Sequence, residues 1–390
     1  MNYLTSEVVQ NKRVLMRVDF NIDLDEEGNV VDDFRIQRTI PTINFLKENK
    51  AKRIVLISHL GEPKEEDYFN EKFSLKPIFN YLKKTLKEEI YFLSIRDYKE
   101  IKKEVEKFEN GEIILLENIR FYKEEEKNDE DFAKSLASFS DIYINEAFSV
   151  SHRQNASLCA ITKFLPSYLG FLFKEEIEKL NKIRENYKSP FVVILGGAKI
   201  KDKLPLIEKF IDKADYLLIG GAILNTILKA WDFEIGNSFY EKEMLEKAKN
   251  LGSKKAELIL AGDLLVLDKK NSVQIRNLGE IKTTDKILDI GPIALKTYKE
   301  IIKKAKTILF NGPLGKIEDE RFQKGTIEII KAIIDNNKAQ AVIGGGDTLK
   351  GFKILNSKFQ IPNSVFLSTG GGAMIKYLAQ EKLPALECLK

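Results

Sequence analysis

The sequence predicts an α/β protein made of two doubly wound parallel-sheet domains. Short apolar runs rich in Val and Ile, such as residues 191–195, alternate along the chain with segments of helical periodicity, and such runs are typical of strands buried on both faces. The chain has 390 residues, which suggests two or three domains. We interpret the long amphipathic segment 169–187 as a helix that joins domain 1–168 to domain 188–377. A surface crossover helix is the alternative.

The composition and charge exclude several kinds of protein. Hydrophobic residues make up 43% of the chain and charged residues 31%, as in a soluble globular protein with a large core. The net charge of +4, without a dense basic patch that alternates with aromatics, argues against a nucleic-acid partner. No apolar run is long enough to span a membrane, and residues 1–20 lack the apolar region of a signal peptide. We expect a cytoplasmic protein in which Cys159 and Cys388 are ordinary thiols, because they fit neither a metal site nor a disulfide framework.

The first predicted strand, residues 13–21, ends in polar side chains. Arg17, Asp19 and Asn21 alternate with apolar residues, so these three polar groups share one face of the strand. Such a row can grip a small oxygen-rich ligand, whereas a half-buried edge strand with a solvated face is the alternative. Arg35 opens the helix that follows.

Basic side chains follow the later predicted strands of this half. Strands are expected at 52–58, 112–117 and 141–145, and the residues that follow them include His59, Arg120, His152 and Arg153. A single histidine is more often structural, but in open α/β sheets ligands bind outside the carboxyl ends of the strands. The shared position of these side chains therefore predicts a site for a small, strongly anionic ligand.

In the second half, residues 189–203 combine a strand, a Gly-Gly turn at 196–197 and a helix. Glycines let the backbone approach a phosphate, and the amino end of a helix offers free N–H groups. Three lysines fall within this turn, namely Lys199, Lys201 and Lys203. The stretch predicts a site for a polyphosphate, with a plain turn and solvated lysines as the alternative.

Glycine turns also end the other predicted strands of this half. They occur at 220–221, 262, 311–315, 344–346 and 370–372. Backbone rather than bulky side chains would then surround a nucleotide. Asp347 follows three glycines and can hold Mg²⁺ together with substrate phosphates, and residues 368–369 can open a helix onto a phosphate.

The two halves of the chain therefore differ in kind. The first half ends its strands in charged and polar side chains, as suits a small anion, and the second ends them in glycine, as suits a nucleotide and a metal. Two such sites on two domains joined by a helix describe a phosphotransferase that works by hinge closure.

The motifs resemble those of the phosphoglycerate kinase family along almost the whole chain. The matching blocks are RVDFN at 17–21, DFRI at 33–36, SHLG at 58–61, ENIRF at 117–121, NEAF at 145–148, GGAK at 196–199, DIGP at 289–292, NGP at 311–313, GGGDT at 344–348 and STGGGA at 368–373. The resemblance implies two Rossmann-like domains that face each other across a cleft, in a monomer whose tail 378–390 folds back on the N-terminal domain. It also implies reversible transfer of a phosphoryl group between 1,3-bisphosphoglycerate with ADP and 3-phosphoglycerate with MgATP.

The resemblance further implies roles for individual residues. Phosphoglycerate would be held by Asp19, Asn21, Arg35, His59, Arg120 and Arg153. Catalysis would depend on Arg35, Lys199 and Lys203. The nucleotide would be bound by Gly197, Lys203, Gly220, Gly221, Asn311, Pro313, Glu318, Gly346, Asp347, Thr348, Gly370, Gly371 and Gly372. Asp347 would bind Mg²⁺.

Two departures from the family pattern bear on the substrate site. Glu62 stands where the family has an arginine, and Asn155 stands where a second histidine is usual. If Glu62 points into the basic patch, we expect weaker phosphoglycerate binding. If it points outward or pairs with a neighbouring arginine, we expect little change.

Two other functions stay open. Glu62 suggests a non-catalytic relative that binds nucleotide, although the lysines and glycine turns are intact. The glycines at 344–346 suggest a dinucleotide oxidoreductase, but this segment lacks the third glycine at the right offset and an acidic residue about 20 positions further on. We rank the oxidoreductase last.

Overall fold

The chain divides into two units. Unit 1 comprises Met1–Ile177 and Lys382–Lys390, and unit 2 comprises Glu178–Glu381. The computed structural model describes residues 2–86, 88–252, 255–355 and 361–389. The division falls inside a helix, Phe171–Arg184, which is shorter than the segment 169–187 that the sequence pattern predicts.

A parallel six-stranded sheet forms the centre of unit 1. Its strands are β1 (Arg13–Arg17), β2 (Arg53–Ile57), β3 (Ile90–Leu93), β4 (Ile113–Leu116), β5 (Ile142–Asn145) and β6 (Ser167–Leu169). They lie in the order β3-β4-β2-β1-β5-β6, and every neighbouring pair is parallel. Every residue of β2, β4 and β5 is buried, as expected of a sheet that is covered on both faces.

Helices flank the strands of unit 1 and supply the cover of the sheet, and the last of these helices continues into unit 2. They are α1 (Ser6–Val9), α2 (Phe34–Glu48), α3 (Lys76–Thr85), α4 (Ile101–Val105), α5 (Lys123–Glu126), α6 (Glu130–Ala137) and α7 (Phe171–Arg184). In α3 the apolar positions Ile78, Phe79 and Leu82 recur at helical spacing and are buried. Their burial in the core of unit 1 fixes this helix against the sheet.

The first strand is shorter than its sequence pattern predicts. β1 ends at Arg17, so Asp19 and Asn21 lie in the loop beyond the strand and not on its face. The N–H of Phe20 donates to the hydroxyl of Ser58 at 2.9 Å, so a side chain takes the place of a strand carbonyl there. The strand prediction over 13–21 is therefore wrong at its carboxyl end, and the polar groups belong to a loop.

Unit 2 contains a second parallel six-stranded sheet. Its strands are β7 (Phe191–Leu195), β8 (Tyr216–Ile219), β9 (Glu257–Leu260), β13 (Thr307–Asn311), β14 (Gln340–Gly344) and β15 (Val365–Ser368), and the intervening strands form the smaller sheet described below. The order is β15-β14-β13-β7-β8-β9, again parallel throughout. The predicted fold class, an α/β protein with two doubly wound parallel sheets, is confirmed.

The helices of unit 2 alternate with these strands. They are α8 (Ile200–Phe210), α9 (Gly221–Ala230), α10 (Leu245–Lys249), α11 (Pro292–Lys304), α12 (Lys324–Asp335), α13 (Gly346–Ile354) and α14 (Gly371–Leu378). Three of them, α9, α13 and α14, begin at a glycine of the turns that the sequence pattern singles out. Across the described ranges, none of the helices is both long and apolar enough to cross a membrane.

The sequence pattern does not predict a small antiparallel sheet in unit 2. It consists of β10 (Asp263–Leu267), β11 (Val273–Asn277) and β12 (Lys286–Ile290), in the order β11-β10-β12. β11 alternates exposed and half-buried residues, because one face of an antiparallel sheet can be solvated. β11 therefore carries little of the continuous apolar signal that identifies the parallel strands, and β10, with residues 264–267, has that signal but was not predicted as a strand.

The last described residues of the chain return to unit 1. They include a short helix, α15 (Pro384–Glu387). The N–H of Ala385 donates to the carbonyl of Ser151 at 3.1 Å, and the side chains of Leu383, Leu386 and Leu389 are buried. Apolar burial thus holds the end of the chain against unit 1.

Candidate active site

In unit 1, Asp19 and Arg35 organise the loop that follows β1. Arg35, in the first turn of α2, donates from Nη1 to Oδ2 of Asp19 at 2.7 Å and to the carbonyl of Asn21 at 2.9 Å. Asp19 also accepts a hydrogen bond from the hydroxyl of Ser149. Burial opposes ionisation of Asp19, but the charge of Arg35, the hydrogen bond from Ser149 and the charge of Arg17 outweigh it and lower its pKa to about 2. The carboxylate is therefore charged, and it holds the guanidinium of Arg35 in place.

Asn21 joins this loop to the loop that follows β2. Its Oδ1 accepts a hydrogen bond from the N–H of Gly61 at 2.8 Å. Gly61 has a φ of 64°, in the left-handed region that favours glycine, and its carbonyl accepts from the guanidinium of Arg120. One turn of backbone therefore connects Asn21 and Arg120, two of the residues that the resemblance assigns to the substrate.

His59 is buried beside the same loop. Its Nδ1 lies 3.2 Å from Nη2 of Arg17 and 3.9 Å from Oδ1 of Asp19. Burial, together with Arg17, Arg120 and Arg153, lowers the pKa of His59 well below its usual value, although Asp19 opposes the shift. The ring is therefore neutral at pH 7. Because a guanidinium can only donate, Nδ1 accepts from Arg17 and the proton resides on Nε2.

Arg17 is a residue of this site to which the resemblance assigns no role. It is buried, and its Nε donates to the hydroxyl oxygen of Ser157 at 3.0 Å. Ser157 in turn donates to Oε1 of Glu125 at 2.6 Å. This chain of contacts holds Arg17 beside His59 and fixes the tautomer of the ring. The sequence signals for Arg17 are its place in the polar row of the first predicted strand and in the block RVDFN at 17–21.

Arg120 and Arg153 both contact Glu62. Nη2 of Arg153 donates to Oε1 of Glu62 at 2.9 Å, and Nη1 of Arg120 lies 3.7 Å from the same oxygen. The hydrogen bond from Arg153, and then the charge of Arg120, lowers the pKa of Glu62. The Glu62 side chain is 74% exposed, whereas that of Arg120 is 4% exposed. Glu62 therefore pairs with neighbouring arginines, and these are the two arginines that the resemblance assigns to the substrate.

The structure thus brings the six predicted substrate residues of unit 1 into one network. We refer to its cationic and imidazole members as the basic cluster, which comprises Arg17, Arg35, His59, Arg120 and Arg153. The second departure from the family pattern, Asn155, is buried and serves the local backbone, since its carbonyl accepts from the N–H of Cys159 at 2.8 Å.

In unit 2, the glycine turns after β7, β8 and β13 pack against one another through backbone atoms. The N–H of Gly197 donates to the carbonyl of Pro313 at 2.7 Å, and that of Gly221 donates to the carbonyl of Leu314 at 2.8 Å. A Cβ atom on Gly196 would collide with the carbonyl of Pro313. At Gly196, Gly220, Gly221 and Gly312 the turns leave no room for a side chain, so the backbone itself is exposed to a ligand there.

Lys203 and Asn311 connect two of these turns. Lys203, in the first turn of α8, donates to Oδ1 of Asn311, whose Nδ2 donates to the carbonyl of Gly344 at 2.8 Å. Burial lowers the pKa of Lys203 to about 8, while Asp202 and Asp347 oppose the shift. The ammonium group is still mostly charged at pH 7, and an anion beside it would raise its pKa. Lys199 is the exposed N-cap residue of α8.

A cavity of about 420 Å³ lies beside the glycine turns. Its wall contains five of the predicted nucleotide residues, namely Gly197, Gly221, Pro313, Glu318 and Asp347. The wall also contains residues that sequence reasoning missed, among them Asn237, Phe239, Leu264, Ile287 and Leu288. Several of these belong to the unpredicted antiparallel sheet, so no motif pointed to them. A mixed wall of this kind suits a flat aromatic ring with polar edges.

Not every predicted nucleotide residue lines this cavity. Lys203, Gly220, Asn311, Gly346, Thr348 and Gly370 to Gly372 lie outside its wall. Thr348 is buried, and its hydroxyl oxygen accepts from the N–H of Gly312 at 2.7 Å, so this side chain supports the turn after β13. Gly371 has a φ of 49° at the first residue of α14.

Asp347 is the candidate metal ligand. It lies in the first turn of α13 with its side chain 60% exposed, and its Oδ1 is 2.8 Å from Nζ of Lys350. Over the described ranges, no group of three or more His, Cys, Asp or Glu residues could hold a metal ion. A single accessible carboxylate fits Mg²⁺, which takes most of its ligands from phosphates and water.

These features define a class of protein, a two-unit α/β protein with one anion site built from charged side chains and another built from glycine turns. The family model described as phosphoglycerate kinase matches residues 4–381. A phosphoglycerate kinase from Coprothermobacter proteolyticus is 42% identical over 385 residues, which cover 97% of this chain and 96% of that protein. One from Helicobacter pylori is 41% identical over 98% of this chain and 94% of its own length.

Solved structures show the same relationship. Phosphoglycerate kinase from Coxiella burnetii superposes with a TM-score of 0.82 at 35% identity, covering 98% of this chain and 96% of that one. The phosphoglycerate kinase from Pyrococcus horikoshii superposes with a TM-score of 0.86 at 30% identity, and the match covers 100% of this chain and 98% of that one. The chain therefore belongs to the phosphoglycerate kinase family.

Proposed function

We propose that the chain transfers a phosphoryl group reversibly between 1,3-bisphosphoglycerate with ADP and 3-phosphoglycerate with ATP, as a step of glycolysis and gluconeogenesis. The observation that carries this proposal is the network of unit 1, in which Asp19, Asn21 and Gly61 hold Arg35 and Arg120 in fixed positions. Arginines held in this way are suited to a phosphorylated carboxylic acid, because the guanidinium plane matches both phosphate and carboxylate.

On the substrate side, the basic cluster binds and orients phosphoglycerate. Arg120 and Arg153 bind the phosphate of the substrate, which replaces the carboxylate of Glu62 as their partner. The imidazole of His59 is uncharged and carries its proton on Nε2. It can therefore donate a hydrogen bond from Nε2 to an oxygen of the substrate and orient it without adding a positive charge. Arg35, anchored by Asp19 and Asn21, stabilises the phosphoryl group in transfer.

On the nucleotide side, the cavity of unit 2 takes the nucleoside, and Glu318 in its wall reaches the ribose. Lys203, together with Lys199, neutralises the charge of the transferred phosphate. The amino ends of α13 and α14 offer N–H groups to the remaining phosphates. Mg²⁺ held by Asp347 and the phosphates would screen the charge of the nucleotide.

The proposed reaction needs no general base. In the ATP-consuming direction the nucleophile is the carboxylate of 3-phosphoglycerate, which is ionised at neutral pH because its pKa is about 4. Catalysis then consists of positioning two polyanions and stabilising charge during transfer. We include in the proposal a hinge closure of the two units, since both substrates must meet with water excluded. We further propose a cytoplasmic monomer that acts on these small molecules.

The test is phosphorylation of 3-phosphoglycerate by MgATP, measured with the wild type, Lys203→Ala and Lys201→Ala. We expect turnover by the wild type, a large loss in Lys203→Ala and little change in Lys201→Ala, because Lys201 is an exposed neighbour on the same helix. Absence of turnover in a wild type that binds MgADP would contradict the proposal and favour a non-catalytic nucleotide-binding relative.

A further inference from the structure

The two cysteines of the chain, Cys159 and Cys388, are far apart in sequence but adjacent in unit 1. The thiol of Cys388 is a hydrogen-bonding partner of the thiol of Cys159. Cys159 lies in a small apolar cluster that also contains Ala385 of the C-terminal segment. Ala385 lies in α15 and Cys388 is the C-cap residue of this helix, three positions further on, so both lie on one side of it. Packing and hydrogen bonding therefore agree on the position of Cys388.

The backbone around both thiols is fixed. The N–H of Cys159 donates to the carbonyl of Asn155 at 2.8 Å, and that of Cys388 donates to the carbonyl of Pro384 at 3.0 Å. Ala385 is tied to Ser151 by a further backbone hydrogen bond of 3.1 Å. Because the backbones of both residues are anchored in the same part of unit 1, the two thiols are held within reach of each other, as disulfide formation requires.

The two thiols differ in access to solvent. Cys388 is exposed, whereas Cys159 is 3% exposed. Burial, and then the hydrogen bond with Cys388, raises the pKa of Cys159. A dissolved oxidant therefore reaches Cys388 first, and Cys159 is placed to react only with a sulfur atom at position 388.

We propose that Cys159 and Cys388 form a reversible disulfide that fastens the C-terminal segment to unit 1, with a small-molecule disulfide as the oxidant. The thiolate of Cys388 attacks one sulfur atom of the oxidant, forms a mixed disulfide and releases one small thiolate. Cys159 loses its proton, attacks the sulfur of Cys388 and releases the second small thiol. Two protein thiols are oxidised, one small disulfide is reduced to two thiols, and excess small thiol reverses the reaction.

The covalent loop closed by this disulfide contains all of unit 2, because the chain leaves unit 1 after Ile177 and returns at Lys382. A cross-link over so long a loop restricts the unfolded chain strongly. It also replaces the docking of the short helix α15 by a covalent attachment. Oxidation is therefore expected to raise the melting temperature, independently of whether the chain acts as a kinase.

The experiment treats the full chain with oxidised glutathione, blocks remaining thiols with N-ethylmaleimide and measures the intact mass. For the wild type we expect no maleimide or glutathione adduct, a loss of two hydrogens, and a peptide that links positions 159 and 388. In Cys159→Ala the second step is blocked, so a glutathione adduct is expected to stay on Cys388. In Cys388→Ser the buried Cys159 is expected to stay reduced.

A melting curve of oxidised and reduced wild type completes the test. We expect a rise in melting temperature on oxidation that is absent in Cys388→Ser and reversed by excess dithiothreitol. A wild type that keeps glutathione on Cys388, that keeps both thiols free, or that forms disulfide-linked dimers would overturn the proposal. A disulfide that forms without changing the melting temperature would overturn its fastening role.

Discussion

The basic cluster of unit 1 and the glycine turns of unit 2 solve the problem of binding an anion in opposite ways. In unit 1 charged side chains are held by a buried carboxylate, Asp19, whose pKa is lowered to about 2. In unit 2 the carboxylate of Asp289 lies in the wall of the cavity, and burial raises its pKa to about 7. Hydrogen bonds from the N–H groups of Gly325 and Ile290 favour the charged form but do not offset the effect of burial. Ion pairs keep the first carboxylate charged, whereas the hydrogen bonds to the second come from uncharged backbone N–H groups.

This difference shows which changes each site should tolerate. In unit 1 the binding groups are guanidinium and imidazole, so removal of one charge should damage function while the backbone stays intact. In unit 2 the binding groups are largely N–H groups of closely packed turns, so the addition of a single methyl group should damage the fold of the site.

Arg35→Met is expected to cause the largest loss of activity. It removes the guanidinium that Asp19 and Asn21 hold in place, and loss of one fixed donor to a transition state typically lowers kcat on the order of 10²–10³-fold. Steady-state kinetics with 3-phosphoglycerate and MgATP measure this fall in kcat. Arg38→Met is the matched control, because Arg38 lies one turn further along α2 and pairs with Glu175. Equal losses in both variants would contradict the role of Arg35.

Gly312→Ala is expected to disrupt the turns of unit 2. Gly312 has a φ of 92°, and a Cβ there would collide with the backbone of Gly196. Backbone strain alone costs about 1–3 kcal/mol, so we expect a lower urea midpoint and a smaller rise in melting temperature with MgADP. Gly262→Ala is the control, since nothing lies within 4 Å of its Cβ position. A Gly312→Ala protein as stable as the control would show that the turns can separate.

Asp19→Asn is expected to change the dependence of stability on pH. Because the folded pKa of Asp19 is about 2 and lies below the unfolded value, its charge stabilises the native state above about pH 4, by about 2 kcal/mol. This contribution is lost as the pH falls through 2. The difference in free energy of unfolding between the wild type and Asp19→Asn, measured by urea unfolding, should therefore become smaller from pH 6 towards pH 2. Asp23→Asn, an exposed carboxylate of the same loop, is the control, and a difference independent of pH would refute the prediction.

Glu62→Gln is expected to have the smallest effect. The ion pair of Glu62 with Arg153 is exposed on both sides, and such pairs contribute at most about 1 kcal/mol. Loss of this competing carboxylate should lower the KM for 3-phosphoglycerate by up to about fivefold without changing kcat. Glu65→Gln, an exposed neighbour in the same loop, is the control. An unchanged KM in Glu62→Gln would mean that the carboxylate does not compete with substrate.

Much of the fold and many of the site positions could be predicted from the sequence. The central parallel strands were recognisable because burial on both faces requires continuous apolar runs such as residues 191–195, and this requirement acts locally along the chain. The edge strands β3 and β6 are only partly buried, and the sequence pattern did not predict them. The glycine turns were recognisable for a similar local reason, since a backbone with positive φ at Gly197 or Gly345 favours glycine.

The sequence by itself therefore determined the fold class and the order of the motifs, because short-range patterns carry both. Only the tertiary structure decided where side chains distant in sequence meet. It ended β1 before Asp19, placed Glu62 against Arg153, and brought Cys388 to Cys159, which the sequence pattern had left as separate ordinary thiols. The physical reason is that such contacts depend on how loops and the chain end pack across the fold, and no periodicity along the chain encodes that packing.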